Sequence, residues 1–195
     1  MMVQTVLLAA GSSSRMGEVK SLLPYHGEPL LVHALRAALH ASSKVVVVTG
    51  FYAPLLEQVL RPYQEASPKH LTIIRNPHPE QGQFCSTLYG VLALDPGQAF
   101  AITMADLPLV TAQHYAKLNH ALAGYEAVRP FCNGVPGHPV LCAASLRPII
   151  LSLPNTATMR EFLSERRVFN LEDGDPAWTT DIDTPEAYQR LINSR

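Results

Sequence analysis

A short apolar segment that runs into a glycine- and serine-rich loop limits the folds open to this chain. Residues 3–8 are mostly apolar, and the loop begins at Gly11. Such a run, bounded by glycine and serine, is typical of a strand buried in a parallel sheet. Residues 29–39 then repeat apolar side chains at helical spacing. The segment therefore predicts a strand, a loop and a helix in succession.

The loop has the composition of a phosphate-binding site. Gly11 and Gly17 allow backbone conformations in which successive N–H groups turn towards an anion. The serines at 12–14 add hydroxyl donors, Arg15 can grip two phosphate oxygens, and Lys20 is a mobile point charge. A Gly/Ser turn with two solvated cations is the alternative. The motifs of the P-loop and of dinucleotide-binding folds are both absent.

Strand and helix patterns alternate along the rest of the chain. Further strands are predicted at 45–50, 71–74, 99–104, 126–131, 140–142 and 168–171. Further helices are predicted around 54–60 and at 87–94, 112–122, 144–153 and 158–163. Strands that alternate with helices at this spacing predict an α/β fold in which helices cover a mostly parallel sheet.

Composition narrows the class of protein. The 195 residues are 47% hydrophobic and 16% charged, with a net charge of -1, which indicates one globular domain over residues 1–195. The absence of a basic block argues against nucleic-acid binding, and no apolar run is long enough to span a membrane. Cys85, Cys132 and Cys142 have neither disulfide nor zinc spacing. Without a recognisable signal peptide, we expect a cytoplasmic protein.

Acidic residues at two places are candidates for binding a metal ion. Asp106 follows the strand predicted at 99–104, at the sheet edge where ligands of α/β proteins bind. Mg²⁺ uses one or two carboxylates and completes its coordination with phosphates and water. A loop or helix-capping aspartate is the alternative. If residues 181–183 are extended, Asp181 and Asp183 project to the same side. Thr184 is predicted to cap the last helix.

The loop sequence carries a resemblance to a known family. Residues 8–20 resemble the signature L-A-A-G-x-S-x-R-M-G-x-x-K of the MobA-like nucleotidyltransferases at every fixed position. The resemblance extends to residues 82–90, 105–108, 137–139 and 181–188. With Phe84, the segment from Gly82 to Ser86 has the pattern G-x-F-x-S, which resembles the branch of molybdenum cofactor cytidylyltransferase-like proteins. Gln83 and Thr87 depart from the usual Met and Leu or Val, and Pro136 stands where relatives often have a basic residue.

The resemblance implies a Rossmann-like three-layer αβα domain of the nucleotide-diphospho-sugar transferase type. It implies Mg²⁺-dependent transfer of CMP from CTP to molybdopterin, with release of pyrophosphate. Ala10 favours CTP, with UTP as the other pyrimidine candidate. The implied nucleotide-binding residues are Leu8, Ala9, Ala10, Gly11, Ser12, Ser13, Arg15, Lys20, Gly82 and Ser86. Ser86 is also the predicted N-cap of the helix at 87–94.

The resemblance also implies roles for the remaining candidates. Arg15, Lys20 and Asp106 are the implied catalytic residues. Asp106 would bind the metal together with Asp181 or Asp183, with Asp181 favoured. His138 is a candidate for contact with the acceptor.

Two other functions stay open on the sequence. One is nucleotidyl transfer to another acceptor, such as a sugar phosphate or a methylerythritol-type alcohol phosphate. The other is a non-catalytic carrier that hands molybdenum cofactor to an apo-molybdenum hydroxylase. The intact set of Arg15, Lys20 and Asp106 argues against a carrier, because a carrier needs no triphosphate site.

Overall fold

The computed structural model of the protein describes residues 3–13 and 16–193. Arg15, a predicted catalytic residue, lies outside the described residues. The strands are β1 (Val3–Ala9), β2 (Pro24–Tyr25), β3 (Glu28–Pro29), β4 (Ser42–Thr49), β5 (Leu71–Arg75), β6 (Phe100–Met104), β7 (Ala127–Cys132), β8 (Val135–Pro136), β9 (Val140–Cys142) and β10 (Val168–Glu172). The α-helices are α1 (Leu30–Ala41), α2 (Ala53–Ala66), α3 (Gln83–Leu92), α4 (Ala112–Ala121), α5 (Leu146–Leu151), α6 (Met159–Ser164) and α7 (Pro185–Asn193).

A mostly parallel sheet lies at the centre, in the order β10-β7-β9-β6-β1-β4-β5, with β8 paired to β7. β1 is parallel to both of its neighbours, so that Leu7 lies opposite Val47 of β4 and Thr103 of β6. Among the described strands of this sheet, the antiparallel pairs are those that β8 forms with β7 and that β9 forms with β6 and β7. The predicted α/β fold with a mostly parallel sheet is confirmed.

Helices cover both faces of the sheet, and this explains why β1 and β4 lack a polar alternation. Odd-numbered residues of both strands, such as Leu7 and Val47, pack in one core with α1, α2 and α4. Even-numbered residues, such as Val6 and Val48, pack in a second core with α3, α5 and α6. The result is a three-layer αβα arrangement. No described helix is both long and apolar enough to cross a membrane.

The start of α3 differs from the sequence prediction. The helix begins at Gln83, and the residue before it is Gly82, whose φ of 98° lies in the region that favours glycine. Ser86 therefore lies inside the first turns of the helix. The prediction that Ser86 is the N-cap is wrong. The chain can turn into the helix at Gly82 without a side-chain cap, which is why the start moves towards the N-terminus.

The parallel strands bring three loops to one edge of the sheet. β1, β4 and β6 are neighbours and all end at this edge, so the residues that follow them meet there. Ala105 donates a backbone hydrogen bond to Leu8 across 3.0 Å. Gly50 approaches so closely that a Cβ there would lie 2.7 Å from the Cβ of Ala10. These contacts place the glycine- and serine-rich loop between the chain segments that follow β4 and β6.

Candidate active site

A cavity of about 510 Å³ opens at this edge of the sheet. Its walls come from the loop after β1, the segments after β4 and β6, the start of α3 and the segment before α7. The lining residues are Leu8, Ala9, Ala10, Gly11, Ser12, Lys20, Ser21, Phe51, Pro79, Glu80, Gly82, Gln83, Ser86, Met104, Ala105, Asp106 and Asp183. The structure thus brings most of the candidates together, whereas Ser13, Asp181 and His138 do not line the cavity.

The loop after β1 is held by contacts at both ends of its described part. Ser13 has a φ of 49°, and its hydroxyl accepts a hydrogen bond from the backbone N–H of Lys20 at 3.1 Å. Tyr52, just before α2, donates its hydroxyl to the Ser12 carbonyl at 2.7 Å. Ser13 therefore closes the loop, and Lys20 is fixed at the cavity wall as a consequence.

Lys20 lies between two carboxylates. Its ammonium group donates to the Asp183 carboxylate at 2.7 Å and also contacts Oδ2 of Asp106. The Lys20 side chain is only 17% exposed and that of Asp106 is 2% exposed. Burial opposes the charge, but the contacts with Asp106 and Asp183 outweigh it and raise the pKa of Lys20 above its ordinary value. Lys20 is therefore a cation at neutral pH.

Asp106 keeps one carboxylate oxygen without a partner. Its Oδ1 atom is buried and has no hydrogen bond to any described residue. A buried carboxylate oxygen is costly to leave unpaired, so this atom calls for a cation or a hydrogen-bond donor beyond the described residues. Asp106 lies in the short turn after β6, and its backbone carbonyl accepts from the N–H of Ile182 at 3.2 Å.

That backbone contact decides which acid of the C-terminal segment reaches the cavity. Ile182 is fully buried in a small cluster with Leu23, Leu30 and Leu191, which fixes the segment beside Asp106. Asp183 then lines the cavity and contacts Lys20. Asp181 lies outside the cavity wall. Burial, followed by the charges of Asp183 and Asp106, raises its pKa.

The carboxylates suit an ion that takes part of its coordination from a substrate. No group of three or more His, Cys, Asp or Glu residues within the described ranges could enclose a metal. Two carboxylates, Asp106 and Asp183, meet at the Lys20 ammonium. Mg²⁺ is usually bound by one or two carboxylates, substrate phosphates and water. The unpaired Oδ1 of Asp106 fits such an ion.

Asn76 supports the part of the cavity wall that is formed by the start of α3. Its side chain donates to the Ser86 hydroxyl at 2.9 Å and accepts from the backbone N–H of His78 at 2.8 Å. The backbone N–H of Asn76 donates to the carbonyl of Thr49, at the end of β4. Asn76 is buried and therefore ties the segment before α3 to the sheet. An asparagine before a proline looks like an ordinary turn residue, and the sequence alone gave no signal of this role.

His138 lies beside the site and outside its wall. Gly137 packs so tightly that a Cβ there would meet the Trp178 carbonyl oxygen at 2.3 Å, and the backbone N–H of His138 donates to the same oxygen at 2.9 Å. Its Nδ1 atom is buried without a partner among the described residues. Burial lowers the pKa of His138, although the charge of Asp106 opposes this. The imidazole is therefore neutral at pH 7.

Tyr52 and Phe51 were not among the sequence candidates. Both lie in the short segment between β4 and α2, which reads in the sequence as an unremarkable helix start. Tyr52 fixes the loop after β1, and Phe51 lines the cavity. Only the parallel pairing of β1 with β4 brings them to the site.

Comparisons with known proteins agree with this architecture. The chain is 31% identical over 186 residues to the molybdenum cofactor cytidylyltransferase of Escherichia coli, which covers 95% of this chain and 93% of that protein. It is 26% identical over 193 residues to the molybdenum cofactor guanylyltransferase of Xanthomonas euvesicatoria, with coverage of 96% and 93%. The Rv0371c protein of Mycobacterium tuberculosis, in a crystal structure with manganese, shares the fold with a TM-score of 0.78, 18% identity and 100% coverage of both chains. Residues 5–170 match the MobA-like NTP transferase domain, and the chain belongs to this family.

Proposed function

We propose that this protein uses a divalent metal ion, Mg²⁺, to transfer CMP from CTP to a molybdopterin-type acceptor, with release of pyrophosphate. One observation carries the proposal. A glycine- and serine-rich loop, a half-buried lysine and two carboxylates converge on a single cavity, and one carboxylate oxygen has no hydrogen bond to a described residue. Phosphate groups and a divalent cation are the ligands that such a set of residues suits best.

Each part of the cavity has a role in this proposal. The backbone N–H groups from Ala10 to Ser12 face the triphosphate, and Lys20 and Arg15 neutralise the departing pyrophosphate. Asp106 and Asp183 would hold the metal, which when bound would supply positive charge to offset that of the α-phosphate and the attacking oxygen. The manganese complex of the mycobacterial protein supports a divalent ion in this fold.

The protein's own contribution is alignment and charge neutralisation. A phosphate oxygen of the acceptor attacks the α-phosphorus, and the bond from that phosphorus to the bridging oxygen of pyrophosphate breaks. No side chain needs to form a covalent bond, because positioned groups and fixed charges supply the rate enhancement. Lys20 changes its partners in this scheme, from the two carboxylates to the phosphates.

The choice of CTP and of the acceptor has separate support. The residues Leu8-Ala9-Ala10-Gly11 resemble the pyrimidine-using branch, and the 31% identical relative in Escherichia coli is named as a cytidylyltransferase of molybdenum cofactor. His138 is the proposed acceptor contact, since its buried Nδ1 lacks a partner among the described residues.

Nucleotide-dependent thermal stabilisation tests the proposal. CTP, GTP, UTP and ATP are compared with and without Mg²⁺, on the protein and on the Asp106→Ala variant. A ligand at 100 times its Kd adds about 2.7 kcal/mol to the free energy of unfolding. We expect a shift for CTP that needs Mg²⁺ and is lost in the variant. Formation of the dinucleotide product from molybdopterin then tests the acceptor. A shift led by GTP, or no shift with any nucleotide, contradicts the proposal.

A further inference from the structure

A large aromatic side chain is exposed at the wall of the cavity. Phe51 is 48% exposed to solvent and lines the cavity together with residues of the loop after β1 and of the segment before α3. Other exposed apolar side chains, such as Leu55 and Leu92, lie on helices and do not contribute to this wall. Removing an exposed phenyl ring from water is favourable in free energy, so a ligand that covers the ring would gain affinity from it.

The backbone around Phe51 is held against the loop after β1. The N–H of Phe51 approaches the Ala10 carbonyl at 3.5 Å, and Gly50 packs on the Cβ of Ala10. On the other side, the Tyr52 hydroxyl donates to the Ser12 carbonyl. Because both neighbours are anchored to the same loop, the backbone of Phe51 is held beside this loop, and its side chain lines the cavity.

The sheet order separates Phe51 from the carboxylates. Asp106 follows β6 and Phe51 follows β4, and β1 lies between these strands. Neighbouring strands are about 4.8 Å apart, so the ends of β4 and β6 lie about 10 Å from each other. In the proposed function the phosphates lie at Lys20 and Asp106, which leaves the part of the cavity near Phe51 for the ribose and the base. Pro79 and Gly82, which follow β5, the strand next to β4, also line the cavity, and Lys20 is the only lysine or arginine among its described lining residues.

We propose that Phe51 is the residue on which the nucleobase packs, so that the ring forms the apolar wall of the base subsite. This inference rests on the proposed nucleotide function and adds a residue that recognises the nucleoside part. Aromatic rings stack on every base, because each base has a π-face. Phe51 therefore contributes affinity for nucleosides in general, and groups at the edge of the base must supply the choice among them.

Binding of two ligands separates this role from a structural one. CTP carries a base, whereas inorganic tripolyphosphate carries only the phosphates, and both are titrated calorimetrically with Mg²⁺. We expect Phe51→Ala to weaken CTP binding roughly 10- to 100-fold, the range found when an aromatic ring is removed from a base stack. Tripolyphosphate should bind with unchanged affinity. Phe51→Trp should retain CTP binding, and its indole fluorescence should change with CTP and not with tripolyphosphate.

Leu55→Ala is the control for the loss of an exposed apolar side chain. Leu55→Ala removes a side chain of similar exposure, 49%, from α2 and should leave the affinity for both ligands unchanged. Unchanged CTP affinity in Phe51→Ala overturns the inference while the proposed function stands. An equal loss for CTP and tripolyphosphate also overturns it, since the ring would then only support the loop. Failure of the unaltered protein to bind CTP defeats the proposed function and this inference with it.

Discussion

The Lys20 ammonium donates a hydrogen bond to the Asp183 carboxylate across 2.7 Å, although 163 residues separate the two in sequence. The same ammonium contacts Asp106. The charge of two buried or half-buried acids is thus offset in part by a cation of the protein itself. A divalent ion at these carboxylates would have to compete with Lys20, and a triphosphate would favour the exchange because it offers Lys20 new anionic partners.

Removal of the Lys20 charge should therefore separate metal binding from turnover. In Lys20→Met, we expect Mn²⁺ to bind more tightly in the absence of nucleotide, as measured by electron paramagnetic resonance of the free ion. Turnover should fall by roughly 10²- to 10³-fold, the usual effect of losing one electrostatic stabiliser. Lys44→Met, which breaks a surface pair with Asp95, is the control. Unchanged Mn²⁺ affinity would show that Lys20 does not compete for the carboxylates.

The two acids of the C-terminal segment should differ in their importance. Asp183 lines the cavity and Asp181 does not, so Asp183→Asn should lower both Mn²⁺ affinity with CTP and turnover, the latter by about 10²-fold or more. Asp181→Asn should lower turnover by less than about tenfold, because the residue affects the site only through its charge. The reverse order of the two variants would assign the metal to Asp181. Circular dichroism spectra of both variants control for folding.

The limits of sequence reasoning are visible in this same segment. An extended Asp181-Ile182-Asp183 places both carboxylates on one side, so local geometry could not choose between them. The choice depends on the burial of Ile182 and on its hydrogen bond to Asp106, both contacts between distant parts of the chain. In contrast, the strands around β1 and the loop at 8–20 were predictable, because apolar runs and glycine-rich turns are local signals.

Asn76 offers a test of a contact that the sequence could not reveal. Asn76→Ala leaves the buried Ser86 hydroxyl without its partner and removes the acceptor of the partly buried His78 N–H. Each buried group left unpaired costs about 1–3 kcal/mol, so we expect a clear loss in the free energy of unfolding, measured by urea denaturation. The affinity for CTP should fall as well, because the segment before α3 loses its tie to the sheet.

A double-mutant cycle distinguishes this specific contact from general damage. If Asn76 acts through Ser86, the loss in Asn76→Ala combined with Ser86→Ala should be smaller than the sum of the single losses. Asn170→Ala, at an exposed position on β10, should change stability little. Strict additivity of the two losses would argue against the contact.

Asp173 should make the stability of the Trp178 region depend on acid pH. Its carboxylate accepts from Lys117 at 2.7 Å and from the indole N–H of Trp178 at 3.0 Å. The hydrogen bond from Lys117, chiefly, and that from Trp178 lower the pKa of Asp173 in the folded state, although burial opposes them. A lowered folded pKa stabilises the protein above the ordinary carboxyl pKa of about 3.9, and this contribution is lost as the pH falls through the folded value.

We therefore expect Asp173→Asn to lower the melting temperature at pH 7, and the difference from the unaltered protein to shrink as the pH falls below about 4. Scanning calorimetry at pH 7, 5 and 3 measures this. Glu172→Gln, at the exposed end of β10, controls for net charge. Trp178 also holds the backbone of Gly137 and His138, so the variant should weaken acceptor binding more than CTP binding. A pH-independent difference in melting temperature would show that the contacts of Asp173 do not depend on its charge.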